Sequence, residues 1–187
     1  MKISKTKING LIIITPKVFF DDRGSFFESW NSDQFNNVGI NDIFDQDNQS
    51  ISSKNVLRGL HFQNPPYAQS KLVRVIKGSV LDVAVDLRKS SPTYGEHHSL
   101  ILSGENKISF YIPKGFAHGF LSLEDDTIFS YKCSGKYNKS SEESLIWNDS
   151  DLKIDWGISN PIVSEKDSNA KYFNEFKSKF WCLKSIL

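Results

Sequence analysis

Short runs in which β-branched and aromatic residues alternate with polar ones dominate the middle of this chain, and they predict strands. Between Val56 and Cys133 they are Val56–Phe62, Lys71–Ile76, Val80–Leu87, His98–Leu102, Ile108–Ile112, Gly119–Leu123 and Thr127–Cys133. Lys77-Gly78, Ser91-Pro92, Gly104-Glu105 and Pro113-Lys114-Gly115 punctuate them. Short strands broken this often predict a sandwich or a barrel. Asn36 to Lys54, rich in Asn, Asp, Ser and Gln, reads as a loop or short irregular strands. Ile8 to Phe20 reads as strands that need a sheet to join. From Lys171 to Leu187 the period changes, with Phe173, Phe176, Phe180 and Leu183 at helical spacing and Ser168 as an N-cap. That predicts a terminal amphipathic helix docked on the barrel or on a second subunit.

The best-defined hairpin joins Lys71–Ile76 to Val80–Leu87. Leu81, Val83, Val85 and Leu87 form one apolar face, while Asp82 and Asp86 lie on the other with Val80 and Ala84. A two-residue turn at Lys77-Gly78 would pair Lys71 with Ala84 and bring Lys71 to the face of Asp82. The carboxylate face then lines a ligand-filled interior or meets solvent, and the hairpin alone leaves both open.

Composition narrows the class. The chain has 187 residues, enough for one domain with a full core, and a formal net charge of +1. Such a balance gives no electrostatic footprint for nucleic acid or a membrane surface. Aromatic residues reach 13% and include fourteen Phe, which favours strands. Cys133 and Cys182 lie far apart, without the spacing of a zinc or redox pair, and read as buried thiols in a reducing compartment. The apolar run Leu11–Ile14 is too short for a signal peptide, and no run approaches a membrane span. A cytoplasmic protein is the expectation.

The histidines are His61, His97, His98 and His118. His97-His98 reads as a solvated pair. Gln63 stands where a His-x-His metal motif would need its second ligand, so the expectation is no metal. Arg58 and His61 differ by an odd number of residues, so a regular strand would point them to opposite faces. A bulge at Gly59 would turn both inward. Alone, Asp21 to Glu28 reads as an ordinary charged loop, and Trp147-Asn148-Asp149 with Asp155-Trp156 as edge caps.

In order, these strings have a family look: Asp22-Arg23-Gly24 with Glu28, Gln46-Asp47-Asn48 with Ser50, and Val56-Leu57-Arg58-Gly59-Leu60-His61-Phe62-Gln63. Pro65-Pro66, Ala68-Gln69, Lys71 to Val75, Asp82 to Arg88 and Ser91 to Gly95 follow. Ile112-Pro113, Gly115 to Phe120, Tyr131-Lys132, Trp147 to Asp149 and Ser164 to Asp167 complete the series. From about residue 8 to residue 167 the chain resembles the dTDP-4-dehydrorhamnose 3,5-epimerase family, in the sugar-epimerase branch of the cupin superfamily. The resemblance implies an all-β cupin jelly-roll barrel with a short C-terminal helical segment and a homodimer that exchanges N-terminal strands. It implies no metal and no organic cofactor, and a nucleotide-sugar substrate. The reaction implied converts dTDP-4-dehydro-6-deoxy-α-D-glucose to dTDP-4-dehydro-β-L-rhamnose, on the route to dTDP-L-rhamnose and cell-surface polysaccharide. By the same resemblance His61 is the general base, Asp167 orients it, Tyr131 is the general acid and Lys71 stabilises the enolate oxygen. Arg23, Glu28, Gln46, Asp47, Asn48, Arg58, His118, Glu142 and Lys166 match nucleotide, diphosphate or sugar contacts, and Tyr137 matches a position that stacks on thymine.

These residue types suit epimerisation beside a ketone. A carbon-bound proton leaves one face of the sugar and another arrives on the opposite face, so the enolate between them needs stabilising where its charge develops. An ammonium does this, and one such donor is worth roughly 3–4 kcal/mol. Imidazole, with an ordinary pKa of ~6.5, is a suitable base, and a tyrosine of pKa ~10 holds a proton to deliver at neutral pH. The competing readings are a single-carbon epimerase or one for another nucleotide-linked 4-keto sugar, a metal-dependent cupin oxygenase, and a non-catalytic sugar-binding cupin. The missing His-x-His opposes the oxygenase, and the joint presence of His61, Lys71, Tyr131 and Asp167 opposes simple binding.

Overall fold

The computed structural model describes residues 1–181. In chain order the strands are β1 (Lys2–Lys5), β2 (Ile12–Thr15), β3 (Phe19–Asp21), β4 (Gly24–Phe26), β5 (Phe44–Ser52), β6 (Leu57–Gln63) and β7 (Lys71–Lys77). They continue as β8 (Ser79–Asp86), β9 (His97–Ser103), β10 (Ser109–Ile112), β11 (Phe116–Ser122), β12 (Thr127–Ser134) and β13 (Glu142–Ser144). Two short helices, α1 (Ser32–Asn36) and α2 (Glu165–Ser168), lie outside the sheets. A six-stranded sheet in the order β1-β2-β10-β7-β12-β5 faces a five-stranded sheet, β13-β6-β11-β8-β9. The pair forms the jelly-roll barrel, and β3–β4 stands apart as a hairpin.

Three buried clusters follow from this layering. Val73, Val75, Phe110 and Phe129 from the first sheet meet Val80, Ala84 and Phe120 from the second, filling the barrel interior. The outer face of the five-stranded sheet, with Leu57, Phe62, Val83, Val85 and Leu121, is covered by Leu152, Trp156, Phe176 and Phe180. The outer face of the six-stranded sheet packs Leu72 and Tyr111 against Phe35 of α1 and Ile40. A core residue of this size contributes roughly 1.5–3 kcal/mol on burial.

The Lys71–Ile76 and Val80–Leu87 strands exist, but not as the expected hairpin. Lys71 pairs with Ile112 and Cys133, while Ala84 pairs with His118 and His98. Gly78, at φ +79, carries the chain from one sheet to the other; a Cβ there would lie 2.4 Å from Thr127 Oγ1. The reason lies in β8, which is buried on both faces and therefore needs a neighbour on each side. Its apolar face lies under the C-terminal segment, so its carboxylates turn inward or into bonded clusters. Asp82 receives His118, and Asp86 receives Arg88, Ser91 and Thr93.

Other differences concern the ends. Phe44–Ser52 forms one continuous nine-residue edge strand where the sequence suggested a loop or short irregular strands. The tail is no amphipathic helix up to Trp181, since one 3-10 turn at Phe173–Glu175 is followed by extended chain. Phe176 and Phe180 reach Phe62 at 5.2 and 6.1 Å, and Lys89 N–H donates to the Phe180 carbonyl at 3.3 Å, so strand-like bonds replace helical ones. Ser168 ends α2, and the cap is Ser164. Leu183 and Cys182 lie outside the described residues; Cys133 is buried. His97-His98 is not a solvated pair, because both are part-buried and the His98 ring lies 5.9 Å from Phe110. Trp156 does act as a cap, donating to the Trp147 carbonyl at 2.8 Å.

The expected bulge is present. His61 pairs with His118 and Arg58 with Phe120, three residue steps on β6 against two on β11. Gly59 sits at φ +136, and a Cβ on it would lie 2.5 Å from the Gly119 Cα. Gly59→Ala should therefore force β6 from β11 and lower the melting temperature by roughly 6–12 °C, as about 3 kcal/mol does in a chain of this size. An unchanged melting curve would show that the close approach does not constrain the barrel.

Candidate active site

The bulge decides what the inner surface of β6 presents. Leu57, Leu60 and Phe62 join the outer cluster, while Arg58 and His61 both line a cavity of about 530 Å³ between the sheets. Lys71 and Tyr131 reach the same cavity from the six-stranded sheet. His118 lines it from β11, and Phe120 and Phe129, stacked with centroids 4.1 Å apart, give it an apolar floor. A second lobe of about 330 Å³ shares His61, Lys71 and Tyr131 and adds Gln46, Asn48, Tyr137 and Glu142. The four residues expected to carry the chemistry thus surround one space.

Each is held by its neighbours. Ser164 caps α2 by accepting from the Asp167 N–H at 3.1 Å, which aims the Asp167 side chain at β6. One carboxylate oxygen of Asp167 lies 2.6 Å from His61 Nε2, and the other accepts the Gly59 N–H at 3.3 Å. Burial would raise the Asp167 pKa, but the His61 bond and charge, with Gly59 and Ser164, outweigh it and hold the carboxyl below its ordinary value. An ionised carboxylate there accepts from Nε2–H and leaves Nδ1 of His61 as the free base.

Lys71 Nζ donates to the His61 carbonyl at 3.3 Å. Its removal from water lowers its pKa, partly opposed by Cys133, Asp82 and Glu142. Burial raises the Tyr131 hydroxyl, so it stays a proton donor. His118 Nε2 lies 2.9 Å from Asp82, and burial outweighs that carboxylate to lower its pKa and keep the ring neutral.

The expected binding residues divide into groups. On β5, Gln46 and Asn48 face the second lobe, while Asp47 points to the outer face and accepts from Lys132 at 2.8 Å. Arg58 Nε donates to Ser52 at 3.2 Å, which leaves the rest of its guanidinium for the cavity. At the mouth, Glu142 joins Lys166 at 2.9 Å and accepts from Tyr137 at 3.2 Å. Arg23 and Glu28 do not reach either lobe of this chain. Arg23 is exposed and paired with Asp21 at 2.6 Å, and Glu28 accepts from Gln34 at 2.7 Å. Phe120, Phe129 and Ser50 line the first lobe without a role assigned from sequence. Alternation along β5, β11 and β12 was their available signal, and on β5 its polar composition hid it.

The family model for dTDP-4-dehydrorhamnose 3,5-epimerase matches residues 5–175. An enzyme of that name from Shigella flexneri is 50% identical over 174 residues, covering 92% of this chain and 96% of the relative. The crystal structure of dTDP-4-dehydrorhamnose 3,5-epimerase from Elizabethkingia anophelis superposes with a TM-score of 0.90 at 52% identity, covering 94% of this chain and 97% of that one. That of dTDP-6-deoxy-D-glucose-3,5-epimerase from Legionella pneumophila, in complex with dTDP-4-keto-L-rhamnose, also gives 0.90, at 48% identity and 94% of both chains. With this identity extending over nearly its whole length, and the backbone following the same path, the chain belongs to the dTDP-4-dehydrorhamnose 3,5-epimerase family.

Proposed function

We propose that the cavity between the two sheets binds dTDP-4-dehydro-6-deoxy-α-D-glucose and that His61 and Tyr131 exchange protons at its carbons 3 and 5. The activity is that of the family, giving dTDP-4-dehydro-β-L-rhamnose for dTDP-L-rhamnose synthesis. The observation that carries the residue roles is that a half-buried histidine paired to a buried carboxylate and a tyrosine project from opposite sheets into one cavity that Lys71 also lines.

His61 takes the carbon-bound proton on its side, and the electron pair moves into the ketone to form an enolate whose oxygen faces the Lys71 ammonium. Tyr131 then delivers its hydroxyl proton to the opposite side of the same carbon. The enolate collapses to the ketone with inverted configuration; His61 then releases the proton it took to solvent, and solvent returns one to Tyr131. The ketone at carbon 4 acidifies carbons 3 and 5 alike, so one set of groups serves both. Electrons balance within each cycle, and no redox step enters.

The same reading assigns Gln46, Asn48, Arg58, Tyr137, Glu142 and Lys166 to the nucleotide, diphosphate and sugar, with His118 beside the sugar. Arg23 and Glu28 are assigned to the site of a second copy. Hairpin β3–β4 supports this, since it exposes Phe19, Phe20 and Phe26 around Arg23 and pairs with neither large sheet. β1 and β2 pair within this chain's own six-stranded sheet, which favours the hairpin as the part that reaches the second copy. No helix among the described residues is long and apolar enough to cross a membrane.

In deuterated water the enzyme should label carbons 3 and 5 of the sugar; label at one carbon only would favour a single-carbon epimerase. His61→Asn should abolish exchange at both. Tyr131→Phe should retain exchange from the His61 side but lose inversion, most clearly at carbon 5, with losses of roughly two to four orders of magnitude. Near-normal exchange in the first variant and none in the second would reverse acid and base.

The alkaline limb of kcat should belong to Lys71. Burial shifts its pKa down and that of Tyr131 up, and both shifts favour loss of the ammonium over loss of the phenol proton as pH rises. Lys71→Arg, which keeps its charge, should move that limb to higher pH at a reduced rate, while Tyr131→Phe leaves its position unchanged. The opposite pattern would assign the limb to tyrosine.

Replacing Phe20 and Phe26 by Asp should shift sedimentation from dimer to monomer and cut kcat/KM with little change in melting temperature. A fully active monomer would contradict the shared site.

A further inference from the structure

We propose that Ser50 is a specificity-determining residue that hydrogen-bonds a ring hydroxyl of the hexose. The inference rests on the epimerase reading of the cavity and deepens it. Ser50 lies on β5, and its backbone pairs with Phe129, which forms the cavity floor with Phe120. Its hydroxyl oxygen is buried with no hydrogen-bond partner among the described residues, and the residue lines the lobe that contains Arg58, His61 and Lys71.

The strand explains why this hydroxyl is unlike its neighbours. Alternation places Gln46, Asn48, Ser50 and Ser52 on one face of β5. Gln46 and Asn48 line the outer lobe, and Ser52 accepts from Arg58 Nε. Ser50 stands between them, on the sheet that also carries Tyr131 and Lys71, and its hydroxyl has no hydrogen-bond partner among the described residues. A serine hydroxyl offers one donor and two acceptor sites, and leaving it buried without a partner is unfavourable. Rotation about its one side-chain bond would break no hydrogen bond that it now makes.

What enters that lobe decides what it meets. The stacked Phe120 and Phe129 rings suit the C–H face of a pyranose, and Lys71 suits the ketone oxygen. Besides the ring and glycosidic oxygens, which only accept, the remaining polar groups of a 4-keto-6-deoxyhexose ring are its hydroxyls, since carbon 6 is a methyl group. A hydroxyl beside Ser50 can both donate and accept, which matches a serine better than a carboxylate or an ammonium would. A site built to bond a hydroxyl rejects the analogue that lacks it, because its own polar group is then left unpaired.

The test uses the intact enzyme and follows deuterium at carbon 5, a position kept in the parent sugar and in its 2-deoxy and 3-deoxy analogues. Wild-type incorporation into the parent sugar is read first; its absence would overturn the epimerase reading together with this inference. With incorporation established, Ser50→Ala should lower kcat/KM for the parent by roughly three- to ten-fold, as loss of one neutral hydrogen bond does. For one of the deoxy analogues the variant and the wild type should then perform alike, because the partner hydroxyl is already missing. An unchanged kcat/KM in Ser50→Ala, or a full additional loss with both analogues, would overturn the assignment of Ser50 while leaving the epimerase reading intact. A matching melting temperature for wild type and variant separates recognition from folding.

Discussion

Asp167 ties the strand bulge to the chemistry. Its two oxygens hold the Gly59 N–H and the His61 ring, so one carboxylate fixes both the backbone irregularity and the base that it exposes. Without the extra residue on β6, side-chain parity would send Arg58 or His61 out of the cavity. The bulge needs glycine on both strands, because a Cβ on Gly119 would lie 2.8 Å from the Arg58 carbonyl, just as one on Gly59 would meet Gly119. The outer apolar cluster supplies the opposing constraint. Leu57, Leu60 and Phe62 stay under the C-terminal segment, and that leaves the inner side of the strand to its polar residues.

The electrostatics follow from where each group emerges. A barrel interior disfavours charge, and the direction of each shift reflects that. Tyr131 and Cys133 are pushed up, and Lys71 and His118 are pushed down, with burial the leading cause in all four. Asp167 and Glu142 escape this trend only because each has a cationic or hydrogen-bonding partner, His61 and Lys166 respectively. The outcome is a site in which the proposed donor Tyr131 holds its proton more tightly than usual, the proposed base His61 has one nitrogen tied to Asp167, and Lys71 holds its proton, and so its charge, less tightly than usual. An enolate oxygen arriving beside Lys71 would strengthen that charge, so stabilisation grows as the carbanion forms.

Much of this was legible from residue order, and the gaps have physical causes. Alternating apolar strands between Val56 and Cys133 emerge at nearly the expected bounds, because each buries at least one face. β5 was obscured because its inner face lines a cavity and carries Gln46, Asn48, Ser50 and Ser52 in place of core residues. Local sequence cannot tell a hairpin turn from a corner between sheets, and Gly78 serves the second use while suiting either. The phenylalanines of the tail are buried as their spacing suggested, yet an extended path against β6 satisfies the same spacing. For the site, Gly59 between Arg58 and His61 was a readable signal, since its parity conflict has few solutions. The pairing of His118 with Asp82 was not, because it joins strands through a register that only the folded sheets define.

The division of residues between the cavity and hairpin β3–β4 separates two demands. The proposed acid, base, orienting carboxylate and ammonium come from one chain's facing sheets and its α2 helix, where packing fixes their geometry. Proton transfer needs that rigidity, since small displacements at the reacting atoms are costly. Arg23, at the tip of the exposed hairpin, carries a charge that burial inside a single barrel would penalise. An interface can form around a diphosphate that neutralises such a charge, so recognition of the nucleotide tolerates sharing in the proposed dimer where the chemistry does not. The exposed phenylalanines beside Arg23 would serve the same end in that proposed dimer, because a contact that removed them from water would also set the guanidinium at the rim of the neighbouring cavity.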